Sequence, residues 1–327
     1  MCRLSIIIPL WAENELFDDT LASVLQNRPS ESEVIVVHSL PYNDPYGLRG
    51  EVQFVRTAAN AKPTRIVNEG CQAAGGDILH VLQPGILACD GWTEPALKSF
   101  RDPQVCAVAP LAVDVETADR IVAAGLRYAR GGRRLRHGAG SKRANGQRML
   151  RQAIRGPALF AGFYRRWLWE AIGGFCERLD VDSADIDFAL SLESLGYRSA
   201  LEPQSVVRAT DSVVQEVPSF AAGCSAERVF WRHAATLGWG SSLLAHPLTV
   251  LGCILRDWRR PGAYLQLLGR LSALFGLPAQ LTYAARVRKA VEMALLESPP
   301  AQPTRMNSAS ASPMPALQLP PGYREAA

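Results

Sequence analysis

Short apolar runs alternate with stretches in which apolar residues recur every three or four positions, and the alternation holds as far as Pro110. Leu4–Pro9 (LSIIIP) is a continuous apolar run, the pattern of a parallel strand covered on both faces. Asn14–Gln26 has apolar residues at 16, 17, 21, 24 and 25, which is helical spacing. Glu33–Val37 (EVIVV) predicts a second buried strand and Val52–Val55 a short third. Arg65–Ala74 predicts a helix ended by Gly75-Gly76, Asp77–Leu82 (DILHVL) a fourth strand stopped by Pro84-Gly85, Trp92–Phe100 a helix and Val105–Pro110 a fifth strand. Strands alternating with helices predict an α/β fold around a mostly parallel sheet. Ligands of such sheets bind beyond the carboxyl ends of the strands, here the loops after Pro9, Val37 and Leu82.

The second half changes character. Gly156–Tyr164 reads as a strand, Arg165–Ile172 as a short helix closed by Gly173-Gly174, and Ser183–Leu195 as a helix with Ser183 at its N-cap and Gly196 after its end. Ala200–Val207 returns as a strand and Phe220–Leu237 as a helix. Residues 238–255 carry no formal charge, but Gly240, His246 and Pro247 interrupt them, which makes them a marginal membrane span. Arginines and Trp258 border this segment and the next apolar one, Leu271–Ala285. That pattern fits helices lying in a membrane interface, or a helical tail packed on the sheet. Residues 298–327 hold seven prolines among Ser and Ala, the composition of a disordered tail. The expected organisation is therefore 1–215 as an α/β domain, 216–297 as a helical extension and 298–327 as the tail.

Charge and cysteine content narrow the partners. The seven cysteines form no CxxC pair, which argues against a disulfide framework or structural zinc and predicts a reducing, cytoplasmic compartment. The N-terminus has no signal-peptide layout, so any membrane contact is expected at the inner face. The net charge of +4 conceals an uneven distribution: residues 127–155 contain ten Lys/Arg and no Asp or Glu, leaving 4 − 10 = −6 for the remainder. Such a stretch reads as a solvated mobile loop or as a clamp for an anionic diphosphate or lipid headgroup. Only Tyr128 there can stack on a base, so nucleic acid is not an expected partner.

Four stretches in order, LSIIIPLWAENE (4–15), Asn60 to Asp77, RRWLWEAIGGFCERL (165–179) and ADIDFALSLESLGYRSALEP (184–203), resemble the family 2 glycosyltransferases. LSIIIPLWAENE (4–15) looks like their opening strand and loop, and Asn60…Arg65…Asn68-x-Gly70…Gly75-Gly76-Asp77 like their helix-to-fourth-strand segment. RRWLWEAIGGFCERL (165–179) is similar to the helix ending in Gly-Gly-Phe-Asp-Glu, with Cys176 in place of that Asp. ADIDFALSLESLGYRSALEP (184–203) looks like the acidic helix carrying the catalytic base and the strand after it. The resemblance covers about residues 3–210 and implies the GT-A fold, a Rossmann-like, mostly parallel sheet flanked by helices. It implies inverting transfer of a sugar from a UDP- or GDP-linked donor to a glycan or lipid-linked acceptor. Asp185 is then the base. Pro9, Trp11, Glu13, His38, Asp44, Arg65, Asn68, Gln83 and Gly85 are expected around the donor. Arg165, Trp167 and Arg208 are expected near phosphate or acceptor.

The chain departs from that family at charged positions. The nucleotide-contacting Asp after the second strand is replaced by His38, with Asp44 as a nearby substitute. The Asp-x-Asp that holds Mn²⁺ or Mg²⁺ aligns with Gln83-Pro84-Gly85, and the His that joins the metal aligns with Arg208. Hard cations want anionic oxygen, so this set does not replace the usual ligands. One reading is a working transferase in which guanidinium groups of Arg208 and the 127–155 stretch offset the diphosphate charge. The other is a catalytically degenerate protein that binds a sugar nucleotide or a partner without turnover. A nucleotidyltransferase would need a Gly- and Lys/Arg-rich loop after the first strand, which PLWAENE lacks. Among the other polar residues, His80 within DILHVL reads as a satisfied core histidine rather than a ligand. Trp167 and Trp169 read as a sugar-stacking platform or as core.

Overall fold

The structure is a computed structural model that describes residues 3–12, 15–42, 44–143, 152–210, 213–260 and 262–297. Glu13 and the tail at 298–327 lie outside the described residues. The chain builds β1 (Leu4–Leu10), α1 (Phe17–Asn27), β2 (Ser32–His38), β3 (Val52–Arg56), α2 (Pro63–Ala73), β4 (Ile78–Val81), β5 (Ile86–Ala88), α3 (Thr93–Ser99) and β6 (Val105–Asp114). There follow β7 (Ile121–Ala123), β8 (Leu126–Tyr128), β9 (Arg134–Arg136), β10 (Phe163–Arg165), α4 (Arg166–Ile172), α5 (Val181–Ser194) and β11 (Arg198–Ala209). The helices α6 (Phe220–His233), α7 (Trp239–Asp257), α8 (Gly262–Ala273), α9 (Leu277–Leu281) and α10 (Tyr283–Glu297) complete it.

One large sheet runs β3-β2-β1-β4-β10-β6-β11-β5, with β7 paired to β6. The apolar runs occupy its middle. All seven residues of β1 are buried between parallel neighbours β2 and β4, as the unbroken LSIIIP pattern requires. The helix α2 lies so close to β1 and β2 that a Cβ at Gly70 would sit 2.5 Å from Ile7 Cγ2 and 2.6 Å from Val37 Cγ2. Two residues earlier, the Asn68 amide donates to the Phe175 carbonyl at 2.8 Å and accepts from its N–H at 3.0 Å. The Asn68-x-Gly70 pattern is thus a packing device that fastens α2 to the sheet and to the turn after α4. That turn has Gly173 and Gly174 at φ of 90° and 79°, a left-handed helix end as expected.

Several expectations are corrected. Of the expected 156–164 strand only Phe163 and Tyr164 enter a strand, β10, which extends to Arg165 and runs antiparallel to both β4 and β6. The cap of α5 is Asp180, whose side chain accepts from Ser183 N–H at 2.8 Å; Ser183 lies inside the helix. Gly75-Gly76 is not a left-handed cap, since α2 ends on an extended Ala74, and Gly76 N–H instead donates to Ser5 Oγ at 2.9 Å. Part of the basic stretch, expected as a mobile loop, is the hairpin β8–β9, with Tyr128 opposite Arg134. His80 is a core residue: Trp92 Nε1 donates to its Nε2 at 3.0 Å and burial pushes its pKa down to about 3. Strands of three residues such as β5, β7 and β8 are too short to leave a periodicity.

The C-terminal helices are joined to α5 by buried charge. The Asp187 carboxylate accepts from Arg232 Nη1 at 2.9 Å, His233 Nε2 at 3.0 Å and Tyr283 Oη at 3.1 Å. The Arg232 guanidinium also lies 4.0 Å above the Tyr283 ring. Burial alone would raise the Asp187 pKa; the bonds from His233 and Arg232 outweigh it and hold the group below its ordinary value. None of the described helices is long and apolar enough to cross a membrane. Replacing Asp187 by Ala strands Arg232 in a dry site, a change that costs about 3–5 kcal/mol where one partner of a buried pair is removed. The expected result is a matching fall in the unfolding free energy from urea titration; a loss below about 1 kcal/mol would show that the cluster does not anchor these helices.

Candidate active site

Three cavities follow one another, the first two beyond the carboxyl ends of the sheet strands. The first, about 700 Å³, opens between the loops after β1 and β2 and is lined by Leu10, Ala12, Leu40 and Tyr42 among others. His38 stands under this loop: its ring Nδ1–H donates to the Leu40 carbonyl at 2.7 Å. Tyr42 stacks on Phe54 with ring centres 5.3 Å apart, which fixes the cleft wall. The second cavity, about 160 Å³, is lined by Trp11, the neighbour of Leu10 and Ala12, together with Gln83, Leu159, Asp185 and Gln215. The third, about 320 Å³, shares Asp182 and Gln215 with the second and lies between the β8–β9 hairpin, the start of α5, the 215–219 segment and helices α6 to α8.

Asp185 sits at the junction. It is 1% exposed. Arg134 grips it from both sides, with Nε 3.0 Å from Oδ1 and Nη2 2.6 Å from Oδ2, while Leu159 N–H reaches Oδ2 at 3.2 Å. The same guanidinium contacts Asp182 at 3.4 Å and bonds Glu216. One cation therefore faces three carboxyl groups, of which Asp185 is closed off from water while Asp182 and Glu216 are about half exposed. Burial pushes the Asp185 pKa up to about 7, against the opposing pull of Arg134, and the nearby Asp182 charge adds to the rise. Asp180, the helix cap, is pushed up to about 6 for the same first reason, burial. A carboxyl group poised near neutrality is suited to exchanging protons at the pH of a cell.

The hairpin that presents Arg134 is held by the C-terminal helices. A Cβ at Gly131 would lie 1.9 Å from Thr249 Oγ1 and 2.8 Å from the Ala245 carbonyl, so only glycine lets the hairpin seat on α7. The ring of His246, also on α7, donates from Nδ1 to the Gly131 carbonyl at 2.8 Å and stacks on Phe230 at 3.7 Å. Its other nitrogen meets Glu227 at 3.0 Å, and Glu227 also receives Arg270 at 3.0 Å and Trp231 Nε1 at 2.8 Å.

Of the residues expected to act on ligands, the structure brings Trp11, Gln83 and Asp185 into one cavity. Pro9 is buried within β1 just before the first cleft. Gly85 lies behind the second cavity, its N–H donating to Thr20 Oγ1 at 2.8 Å and its α-carbon facing Val213. The others are directed elsewhere. Asp44, at φ 45°, is a turn residue accepting from Leu48 N–H at 2.9 Å. Arg65 is on the surface, paired with Glu69 at 2.9 Å, and Asn68 spends its amide on Phe175. Arg165 bonds the carbonyls of Phe100, Asp102 and Val105. It thus sits at the amino ends of the parallel strands, opposite the first residue of β4, with Trp167 close by against Tyr197 at 5.6 Å. Arg208 is exposed and faces Cys89 rather than Asp185. Sequence reasoning missed Arg134, Asp182 and Glu216 as individuals; the run of cations without acids was the one signal of the first.

A divalent cation does not fit the donor set present. The turn after β4 supplies an uncharged Gln83, both Asp185 oxygens already face Arg134, and no group of three His, Cys, Asp or Glu side chains among the described residues could hold a metal.

Compared with protein families and with curated proteins, the sequence matches none. Among solved structures, the chain is similar to GalNAc-T7 with UDP, GalNAc and Mn²⁺, with a TM-score of 0.54 and 14% identity over 70% of this chain and 47% of that one. The chain thus spans about half the length of GalNAc-T7. It is also similar to the mannosyltransferase PcManGT from Pyrobaculum calidifontis with GDP-Man and Mn²⁺, with a TM-score of 0.51 and 19% identity over 90% of this chain and 88% of that one. At these identities the likeness establishes the fold, which is the GT-A fold expected from the sequence.

Because Arg134 is what holds the Asp185 pKa down, removing it must move that pKa up. In a carboxyl-carbon NMR titration, assigned with Asp185→Asn, wild type is expected to titrate near 7 and Arg134→Gln distinctly higher. A downward shift, or none, would show that the pair is not formed in solution.

Proposed function

We propose that the chain is a nucleotide-sugar-dependent glycosyltransferase of the family 2 type, acting with inversion. One observation carries this reading: Asp185, a nearly closed-off carboxyl group titrating around neutrality, stands between a cleft of nucleotide size and a second chamber that an acceptor can enter. The first cleft receives the nucleotide, and Trp11 and Gln83 flank the sugar. The third cavity admits a hydroxyl-bearing glycan or lipid-linked acceptor. Asp185 takes the acceptor proton as the acceptor oxygen bonds the anomeric carbon. The bond from that carbon to the diphosphate breaks, and its electron pair leaves on the phosphate oxygen. Attack from the side opposite the diphosphate inverts the centre.

Charge compensation falls to guanidinium groups. Arg134 is bound to Asp185 before donor arrives. An incoming diphosphate competes with Glu216 for the Nη1 side of the same guanidinium, so Arg134 brings positive charge to the leaving group while it keeps Asp185 ionised. The same ion pair favours a second reading, a binding protein without turnover, because a bidentate pair satisfies Asp185 without any substrate.

The two readings part in a calorimetric titration against UDP, GDP and their sugars, with and without Mn²⁺, followed by an acceptor assay. The transferase binds one nucleotide class without metal, keeps its activity in EDTA, and shows a rate that climbs as pH passes through about 7, since Asp185 must be ionised to accept a proton. Asp185→Asn is expected to lower turnover by roughly a hundredfold or more while leaving donor affinity in place. Binding without transfer in wild type supports the second reading. Activity lost in EDTA and restored by Mn²⁺ would overturn the guanidinium assignment.

A further inference from the structure

The apolar side chains that escape the core are not scattered. Of the 21 large apolar side chains that are exposed among the described residues, 13 fall between Trp239 and Phe275. On α7 they form a stripe at 244, 248, 251 and 255, steps of four, three and four, which is one face of a helix. The stripe is well out of the core: Leu244 is 78% exposed and Leu248 71%. The apolar faces of α7 and α8 meet in an open groove of about 310 Å³, with Leu251 and Ile254 on one bank and Leu267 and Leu271 on the other. Just past α8, Phe275 projects at 93% exposure. A continuous surface of this kind on a chain whose core is otherwise well closed marks an interaction site.

Charge identifies what covers it. Residues 239–281 contain four arginines, 256, 259, 260 and 270, and one acid, Asp257. Asp257 is buried and faces inward, engaged by Arg256 at 2.7 Å and Arg260 at 3.4 Å. At the same turn the Arg259 guanidinium lies 5.1 Å over the half-exposed Trp258 ring. An apolar plane, an indole at its rim and arginines beside it, with no exposed acid within 239–281, match the layers of a bilayer surface: acyl chains, interface and anionic headgroups. A second copy of the chain would bring the same arginines against one another. The chain's own 298–327 segment offers Glu325 against Arg305 and Arg324, so it adds positive charge rather than complementing it.

We propose that the outer face of α7 and α8 docks on a membrane surface bearing anionic headgroups. The helices lie along the surface, since none of the described ones is long and apolar enough to cross it. The third cavity, which includes Cys253, Arg256 and Arg260 of this same region in its wall, then opens beside the lipid. This inference does not depend on the proposed reaction.

The test is co-sedimentation of the full chain with vesicles of phosphatidylcholine alone or mixed with phosphatidylglycerol. Binding to the mixed vesicles is expected, weakening as salt is added. Each of Leu244→Asp and Leu248→Asp should lower the partition coefficient by roughly tenfold or more on every vesicle, from the lost burial of one leucine. Arg259→Glu with Arg260→Glu should weaken binding to anionic vesicles alone, by at least roughly fivefold per arginine. Both positions are exposed, and circular dichroism is used to check that each variant folds. Failure to bind either vesicle would overturn the proposal. So would binding unaffected by the leucine variants, or a dimer in light scattering that Leu248→Asp dissociates, which would make a second copy the occupant. Binding that appears only after residues 298–327 are removed would make that segment the occupant instead.

Discussion

The bidentate pair between Arg134 and Asp185 sets the terms for the rest of the molecule. Withdrawing a guanidinium and a carboxylate from water costs several kcal/mol per ion, and their attraction offsets this only when geometry is good and the remaining donors and acceptors are met. Here they are met by Leu159 N–H on the carboxylate and by Asp182 and Glu216 on the guanidinium. The pair and its partners come from four places in the chain: the hairpin, the stretch before β10, the first turns of α5 and the segment after β11. None of them is adjacent in sequence, so the pair can form only once the sheet, α5 and the hairpin are all in place. The pair reports on the finished fold as much as it equips the site.

The helix α5 is held between two such clusters. Asp185 and Asp187 are separated by roughly 200° around the helix, so their side chains leave opposite faces. Asp185 meets the hairpin, and Asp187 meets Arg232, His233 and Tyr283. The pKa directions differ accordingly. Burial raises both; the three donors around Asp187 outweigh it and hold that group below its ordinary value, whereas at Asp185 burial prevails over Arg134 and pushes the group above. Two acids of the same type in one helix are thereby divided into a structural anion and a group able to exchange a proton at neutral pH.

The legible parts of the sequence were those in which a local pattern has one physical cause. The unbroken run LSIIIP has the pattern of a strand buried on both sides and forms one, and Gly173-Gly174 forms the left-handed helix end that its pattern suggests, whereas Gly75-Gly76, which reads the same way, does not. Asn68-x-Gly70 was also legible as a pattern, but its purpose was not: buried amide bonds and a close helix–sheet approach use the same residue types that would grip a ligand. Arg165 illustrates the same ambiguity, an arginine that ties up backbone carbonyls at the amino ends of the strands, away from the clefts. What could not be read was long-range choice. Ten cations in 127–155 give no sign of which one turns inward, because that is decided by Gly131 against α7, more than a hundred residues on.

The helical extension therefore has two surfaces with different duties. The inner side of α7 carries His246, Thr249 and the Ala245 carbonyl, and these seat the hairpin from which Arg134 reaches Asp185. The outer side carries the leucine stripe. A helix needed only to cover the sheet would bury its apolar face and expose its polar one. Here the buried face is the one bearing histidine and threonine, with His246 satisfied on both ring nitrogens, and the apolar residues are left outside. Burying a histidine bonded at both nitrogens while leaving Leu244 and Leu248 in water runs against the hydrophobic effect unless each face has a partner of its own. The hairpin is the partner of the first, and its grip explains why the basic stretch, which by charge alone would be the most solvated part of the chain, contributes the cation that closes the site.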